Sequence, residues 1–124
     1  PVNEEHISDV PLLTEYDESK SKAEELIREF VEKANLEVII VSPAKVYGPG
    51  IWTESNAVSQ LIRAYVQGEW HLLPGDGKAV ACFAYIEDVV RGFVLAAKNG
   101  RSGERYILGG ENLSFKDLFT TLAD

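Results

Sequence analysis

The chain has 124 residues and a formal net charge of −8, with 45% hydrophobic and 26% charged residues, which is ordinary for a globular domain with one core. Phosphate binding needs a basic surface, so the charge argues against nucleic acid and anionic membranes as partners. No apolar run approaches the roughly 20 residues of a transmembrane helix, and the opening residues do not resemble a signal peptide. We therefore expect a cytoplasmic protein.

The first predicted helix begins at Thr14 and runs to about Ala34. Thr14 and Asp17 have the spacing of a capping box, and Asn35 can end the helix in a left-handed conformation. Glutamate and basic residues recur four apart on one face, as exposed ion pairs do. The apolar residues expected to face the core are Ala23, Ile27, Phe30 and Ala34.

Tyr16 and Lys20 lie four residues apart near the start of this helix, so both side chains are expected on one face, one turn apart. A cation held close to a tyrosine favours the phenolate. A phenol tuned in this way can give a proton to a carbonyl oxygen, or take one from an alcohol, while a hydride moves on carbon. The same spacing also occurs in helices where the ring packs on the core and the lysine is solvated, so these residues alone leave both interpretations open.

The segment 36–41 is short and mostly β-branched, which predicts a strand covered on both faces, as in a parallel sheet. Pro43 is expected to end this strand. Residues 42–50 follow with two prolines and two glycines, which favour a fixed path without regular structure. A loop at the carboxyl end of a parallel strand is where α/β proteins bind ligands.

The remaining pattern alternates helices and strands. A second helix is predicted from near Ser55 to Gly68, and a third over 87–99. Their inward faces are Val58, Leu61, Ile62, Tyr65 and Val66 in the second, and Val89, Val90, Phe93, Val94 and Ala97 in the third.

Short strands are predicted at 70–73 and 80–85, around a turn at 74–77, and another at 105–108. Ser114 with Asp117 caps a last helix. The fold class is therefore α/β, with helices packed on a small sheet. Cys82 cannot form an internal disulfide and is predicted to be a small buried filler.

Four stretches occur in an order that resembles the extended short-chain dehydrogenase/reductase family, also called the NAD-dependent epimerase/dehydratase family. They are 16–20 (YDESK), 42–50 (SPAKVYGPG), 83–90 (FAYIEDVV) and 103–112 (GERYILGGEN), and they span nearly the whole chain. The last looks most like the dihydroflavonol-reductase-like branch. The resemblance implies an enzyme that uses NAD or NADP and has an NAD(P)-binding Rossmann-like fold with a small substrate-binding α/β lobe.

The resemblance also assigns roles to matching residues. Tyr16 would be the proton donor or acceptor, and Lys20 would favour its phenolate and bind the ribose hydroxyls of the cofactor. Pro43 and the backbone around Val46 would lie against the nicotinamide. The residues expected on the substrate side are Tyr47, Trp70 and Phe83. No metal ligand is assigned.

Two family features have no counterpart. No glycine-rich phosphate loop occurs in the sequence, and the usual catalytic Ser or Thr would lie before Pro1. Residues 1–124 therefore resemble the C-terminal part of such an enzyme, comprising the end of the cofactor sheet and the substrate-binding region. By itself this part is expected to be inactive.

The expected substrate is a small molecule. Many nucleotide-sugar members carry arginines where Ser42 and Ala81 stand, and arginine suits diphosphate recognition. This favours an NAD(P)-dependent reductase acting on a small or apolar carbonyl compound. A nucleotide-sugar epimerase or dehydratase is the first alternative, and a non-catalytic dinucleotide-binding regulator or scaffold is the second. Family members often dimerise, so the resemblance suggests a homodimer.

Overall fold

The computed structural model describes residues 3–5, 11, 14–34, 36–50 and 56–123, and the predicted ends at Asn35 and Ser55 lie outside them. The helices are α1 (Glu15–Ala34), α2 (Ala57–Val66), α3 (Ile86–Asn99) and α4 (Phe115–Ala123). The strands are β1 (Ile40–Pro43), β2 (Lys45–Tyr47), β3 (Val80–Tyr85), β4 (Arg105–Leu108) and β5 (Glu111–Ser114). The α/β class is confirmed.

The chain divides into two compact units. The first unit is Pro1–Ser42 with Phe93–Ile107, and the second unit is Pro43–Gly92 with Leu108–Asp124. Within the described ranges, no helix is long and apolar enough to cross a membrane.

In the first unit, α1 begins as its sequence predicts. The Thr14 N–H donates to Asp17 Oδ2 at 3.1 Å, and the Asp17 N–H donates to Thr14 Oγ1 at 3.1 Å. These two bonds satisfy backbone donors that the helix itself leaves free. The predicted exposed ion pairs, Glu24 with Arg28 and Glu29 with Lys33, also form, each at 3.0 Å.

The predicted buried face of α1 was mostly wrong. Ile27 is half-buried, but Phe30 is 58% exposed and Ala23 and Ala34 are exposed. The half-buried face of α1 is instead partly polar, and its residues are Asp17, Ser21, Glu24, Ile27 and Val31. On this face the Glu24 carboxylate pairs with Arg105 of β4 at 3.4 Å, and helical periodicity does not show a partner so distant in sequence.

The first predicted strand is displaced along the chain. β1 starts at Ile40, whose N–H donates to the Glu104 carbonyl at 3.0 Å, and it includes Pro43. Before β1, the backbone groups of Val38 bond to residues 102 and 103 and not to a neighbouring strand. The Val38 N–H donates to Ser102 Oγ at 3.1 Å, and its carbonyl accepts from Gly103 at 2.8 Å. β1 pairs with β4, which occupies its predicted position.

The second unit contains a three-stranded sheet in the order β2-β3-β5. β2 runs parallel to β3, with Val46 opposite Ala84, and β5 runs antiparallel, with Leu113 opposite Ala81. The prediction that 42–50 lacks regular structure was therefore wrong for Lys45–Tyr47. β5 was not predicted, since its sequence has no β-branched residue.

The predicted strand at 70–73 does not form. The Glu69 and Trp70 N–H groups instead donate to the Ala64 carbonyl, at 2.8 and 3.1 Å, and so close the end of α2. The turn at 74–77 is confirmed, with the Gly77 N–H donating to the Pro74 carbonyl at 3.1 Å.

The buried residues of the second unit include parts of β3 and α4. Phe83 is 3% exposed and Ala84 1%, and Leu118 and Phe119 of α4 are also buried. The Phe119 ring packs against Tyr65 of α2, with centroids 4.6 Å apart. α4 is capped as predicted, because the Asp117 N–H donates to Ser114 Oγ at 3.1 Å. In α2, the predicted inward residues Val58, Leu61, Ile62 and Tyr65 are half-buried, but Val66 is 67% exposed.

The buried stripe of α3 is narrower than predicted. Val89 and Ala96 are buried, two turns apart. Four other residues predicted to face inward are exposed, namely Val90, Phe93, Val94 and Ala97. Periodicity marks an apolar face but cannot tell how much of it a neighbouring element covers.

Candidate active site

Tyr16 and Lys20 form one pair on the first turns of α1. Lys20 Nζ lies 5.2 Å from the centroid of the Tyr16 ring, within the range of a cation–π contact. The capping box fixes the turn below them, and Ser19 Oγ donates to the Tyr16 carbonyl at 2.8 Å. The prediction that both side chains share a face is confirmed.

Both members of the pair are open to solvent. Tyr16 is 68% exposed, which excludes the interpretation in which its ring packs on the core of the first unit. The hydroxyl of Tyr16 and the ammonium of Lys20 are therefore both accessible to a molecule that covers this turn of α1.

The second unit carries the loop that the resemblance places against a nicotinamide. Pro43 is exposed, and Val46 is half-buried within β2. The Tyr47 ring packs against Tyr85 with centroids 5.6 Å apart. The predicted contacts of Pro43, Val46 and Tyr47 with cofactor or substrate remain predictions.

Ser59 of α2 fixes this loop and was not found from the sequence. Its hydroxyl accepts from the Gly48 N–H at 3.1 Å and donates to the Gly48 carbonyl at 3.3 Å. Gly48 has φ of 142°, and a Cβ there would collide with Ile86. A serine among the apolar positions of a helix gives no sequence signal for such a role, because its partner lies eleven residues away in a loop.

Trp70 lines a cavity of about 510 Å³ in the second unit, together with Lys45, Leu61 and Phe115. Its indole N–H donates to the Leu72 carbonyl, which orients the ring. Phe83 lies deeper, and its ring meets that of Phe115 edge-on at 6.0 Å. Phe83 therefore supports the cavity through Phe115, and its predicted direct contact with substrate remains a prediction.

Cys82 is half-buried, less than predicted. Its sulfur accepts from the Gly110 N–H at 3.2 Å. Gly110 approaches β3 so closely that any Cβ would collide with the Phe83 carbonyl oxygen. Gly110 is therefore a packing requirement of the sheet.

Comparisons with known proteins show the family of the chain. Residues 1–109 match the model of the NAD dependent epimerase/dehydratase family. The chain is 34% identical over 93 residues to UDP-glucuronic acid decarboxylase 1 of Arabidopsis thaliana, covering 71% of this chain and 20% of that protein.

Solved structures agree in fold. The dTDP-glucose 4,6-dehydratase DesIV of Streptomyces venezuelae, solved with NAD bound, superposes with a TM-score of 0.74 at 28% identity, over 88% of this chain and 34% of that one. RMD of Pseudomonas aeruginosa, complexed with NADPH, superposes with a TM-score of 0.82 at 25% identity, over 100% of this chain and 43% of that one.

The fold is thus that of the NAD(P)-binding Rossmann-type enzymes. The chain belongs to the NAD-dependent epimerase/dehydratase family, a family of NAD(P)-dependent enzymes that includes dehydratases, decarboxylases and epimerases. It spans less than half the length of the relatives it matches.

Proposed function

We propose that the protein is the C-terminal part of an NAD(P)-dependent oxidoreductase that reduces the carbonyl group of a small or apolar substrate. The Tyr16–Lys20 pair carries this proposal, because a solvent-open phenol beside an ammonium is a proton donor suited to a developing alkoxide. Another part of a longer protein would supply the glycine-rich phosphate loop and the family's catalytic Ser or Thr, which have no counterpart in this sequence.

The exposed groups suit a dinucleotide. The Lys20 ammonium has three donors and no acceptor, so it can bind ribose hydroxyls while it lies over Tyr16. The exposed ring of Pro43 offers an apolar surface to a flat nicotinamide. The reduced cofactor, when bound, supplies the hydride that reaches the carbonyl carbon.

In this mechanism Tyr16 completes the reduction. Tyr16 Oη releases its proton to the carbonyl oxygen as the carbon receives the hydride, and the product is an alcohol. Lys20 stabilises the phenolate that remains until a proton from solvent restores it. The reverse sequence oxidises an alcohol.

Each unit separately favours a substrate without a diphosphate. Ser42 of the first unit and Ala81 of the second unit, which stand where nucleotide-sugar enzymes often carry arginines, are half-buried and uncharged. Apolar side chains dominate the cavity beside Trp70, and no arginine is among its described lining residues.

A nucleotide-sugar dehydratase or epimerase is the second candidate. It is favoured by the relatives, whose names include UDP-glucuronic acid decarboxylase and dTDP-glucose 4,6-dehydratase. A non-catalytic dinucleotide-binding regulator or scaffold is a third hypothesis. The presence of both Tyr16 and Lys20 argues against it. We also propose a cytoplasmic location and a homodimer.

A product assay on the protein encoded by the complete gene separates the first two candidates. Net consumption of NADPH or NADH with aldehydes or ketones is the expected result. Turnover of UDP-, GDP- or dTDP-sugars without net change in cofactor would instead establish the second candidate and overturn the first.

A further inference from the structure

The guanidinium of Arg105 connects three parts of the first unit. Its Nη1 group donates to Glu24 Oε2 of α1 at 3.4 Å, and its Nη2 group donates to the Glu4 carbonyl at 2.9 Å. Its Nε is buried and has no hydrogen-bond partner among the described residues. The two Nη groups therefore make the hydrogen bonds described for this guanidinium, one to the helix and one to the segment that precedes it.

The groups that Arg105 joins are themselves held in place. Arg105 is the first residue of β4, which pairs with β1. Glu4 is bound to β4 a second time, because its Oε1 accepts from the Ile107 N–H at 3.0 Å. The side chains of Arg105 and Glu24 are only 28% and 24% exposed, so water and salt screen this ion pair less than a surface pair.

The contact with Arg105 differs from the other polar contacts of α1. Among the residues that the structure describes, the other side-chain hydrogen bonds and ion pairs of α1 connect residues three or four apart within the helix or its cap. Ile27 and Val31 are half-buried on the inner face, but apolar packing is non-directional. The directional contact described between α1 and β4 is therefore the one from Glu24 to Arg105.

The orientation of α1 determines where the Tyr16–Lys20 pair lies. Tyr16, Lys20 and Glu24 follow one another at intervals of four residues. Since a helix rises about 1.5 Å per residue, Glu24 lies about 12 Å along the axis from Tyr16 and about 6 Å from Lys20. A tilt of about 10° about Glu24 would move Tyr16 by about 2 Å and Lys20 by about 1 Å. A displacement of about 1 Å is enough to lose a hydrogen bond.

We propose that Arg105 is a positioning residue for the Tyr16–Lys20 pair, because it sets the orientation of α1 relative to β4 and to the segment at Glu4. The proposal rests on the proposed function, in which Lys20 binds the ribose of the cofactor. It adds the residue that directs this ammonium to the ribose. In this role Arg105 acts through α1 and touches neither cofactor nor substrate.

Cofactor titrations of the protein encoded by the complete gene test this role. The probe is NADH or NADPH, whichever the parent binds more tightly, and its fluorescence measures the dissociation constant. We expect Arg105→Met to weaken binding at least roughly fivefold, because Lys20 loses a charged hydrogen bond. Arg105→Lys, which keeps the charge but has no planar fork to reach both partners, should restore part of the loss. Arg101→Met, which removes the same charge from an exposed position four residues earlier, is the matched control and should change nothing.

A double-mutant cycle separates positioning from a general loss of structure. In a Lys20→Met background, Arg105→Met should weaken binding less than roughly twofold, since the group that it positions is gone. An equal loss in both backgrounds, or binding at the parent level by Arg105→Met, would overturn the proposal. If Arg105→Met does not fold, Glu24→Gln breaks the same pair from α1 and carries the same expectations, with Glu29→Gln as its exposed control. These titrations need no turnover, so a failure of carbonyl reduction remains distinguishable from a failure of this proposal.

Discussion

At the scale of single residues, the hydroxyl of Ser59 links α2 to the loop that follows β2. Both polar groups of the Gly48 backbone meet this one side chain. Because Gly48 directly follows Tyr47, the contact also holds the residue expected at the substrate. Ser59 is thus a positioning residue for the loop.

We expect Ser59→Ala to destabilise the protein by about 1–2 kcal/mol, since it leaves a half-buried N–H and carbonyl without their partner. Urea unfolding measures this change. Ser19→Ala is the control, because it also removes one hydroxyl from a helix but at an exposed position, and it should cost less than about 0.5 kcal/mol. Equal effects of the two substitutions would show that the Gly48 contact does not stabilise the fold.

At the scale of elements, β4 is held partly by the residue Glu4. The Ile107 N–H donates to Glu4 Oε1 at 3.0 Å, and the Arg105 guanidinium donates to the Glu4 carbonyl at 2.9 Å. The bond from the Ile107 backbone holds the pKa of the Glu4 carboxyl below its ordinary value of 4.5, and the charge of Arg105 adds to this. The Glu4 carboxylate therefore satisfies one backbone donor of β4.

This contact makes stability depend on pH. A carboxyl whose pKa is lower in the folded protein stabilises it above the ordinary value and loses that contribution as the pH falls through the folded value. We expect Glu4→Gln to be less stable than the parent at pH 7, and the difference to shrink as the pH falls below 4.5 and through the lowered folded pKa of Glu4. Urea unfolding at pH 7 and over a series of acidic pH values, with Glu5→Gln as control for the charge change, measures this. A difference that persists undiminished in acid would contradict the account.

Local chemistry made some elements predictable and not others. The caps at Thr14 and Ser114 each use a partner three residues away, so sequence shows both ends of the bond. The start of β1 depends instead on Ser102, which lies 64 residues from Val38. A bond of that separation leaves no pattern in one sequence.

The same contrast applies to the candidate site. Tyr16 and Lys20 were predictable as a pair because a helix brings i and i+4 together. Ser59 and the lining of the Trp70 cavity depend on how α2 packs, which propensity does not specify. The inward position of Glu24 was likewise not predictable, because its partner Arg105 lies far away in the sequence.

At the scale of the whole molecule, much apolar surface remains in water. On α1, Leu26 is 54% and Phe30 58% exposed, and on α3 Phe93 and Leu95 are 47% and 59% exposed. Exposed apolar residues that recur along helices are typical of surfaces that bind another chain or domain. This is consistent with the proposed homodimer and with a longer protein that covers these helices.

We expect this protein to self-associate, because burying two such helix faces removes apolar area from water. Sedimentation velocity should show a dimer whose share rises with concentration. Phe30→Glu should reduce that share strongly, while Val66→Glu, at a somewhat more exposed position on α2, should leave it unchanged. A monomer at all concentrations would refute a homodimer through α1.

The most direct test of the central claim is the rate of carbonyl reduction by the protein encoded by the complete gene, compared between the parent and Tyr16→Phe. Loss of the phenolic proton should lower kcat by about 10²–10⁴-fold, with little change in cofactor binding. Lys20→Met should lower kcat and weaken cofactor binding together, because in the proposed mechanism that ammonium serves both the phenolate and the ribose. A Tyr16→Phe variant that reduces its substrate at the parent rate would show that this pair does not carry the chemistry.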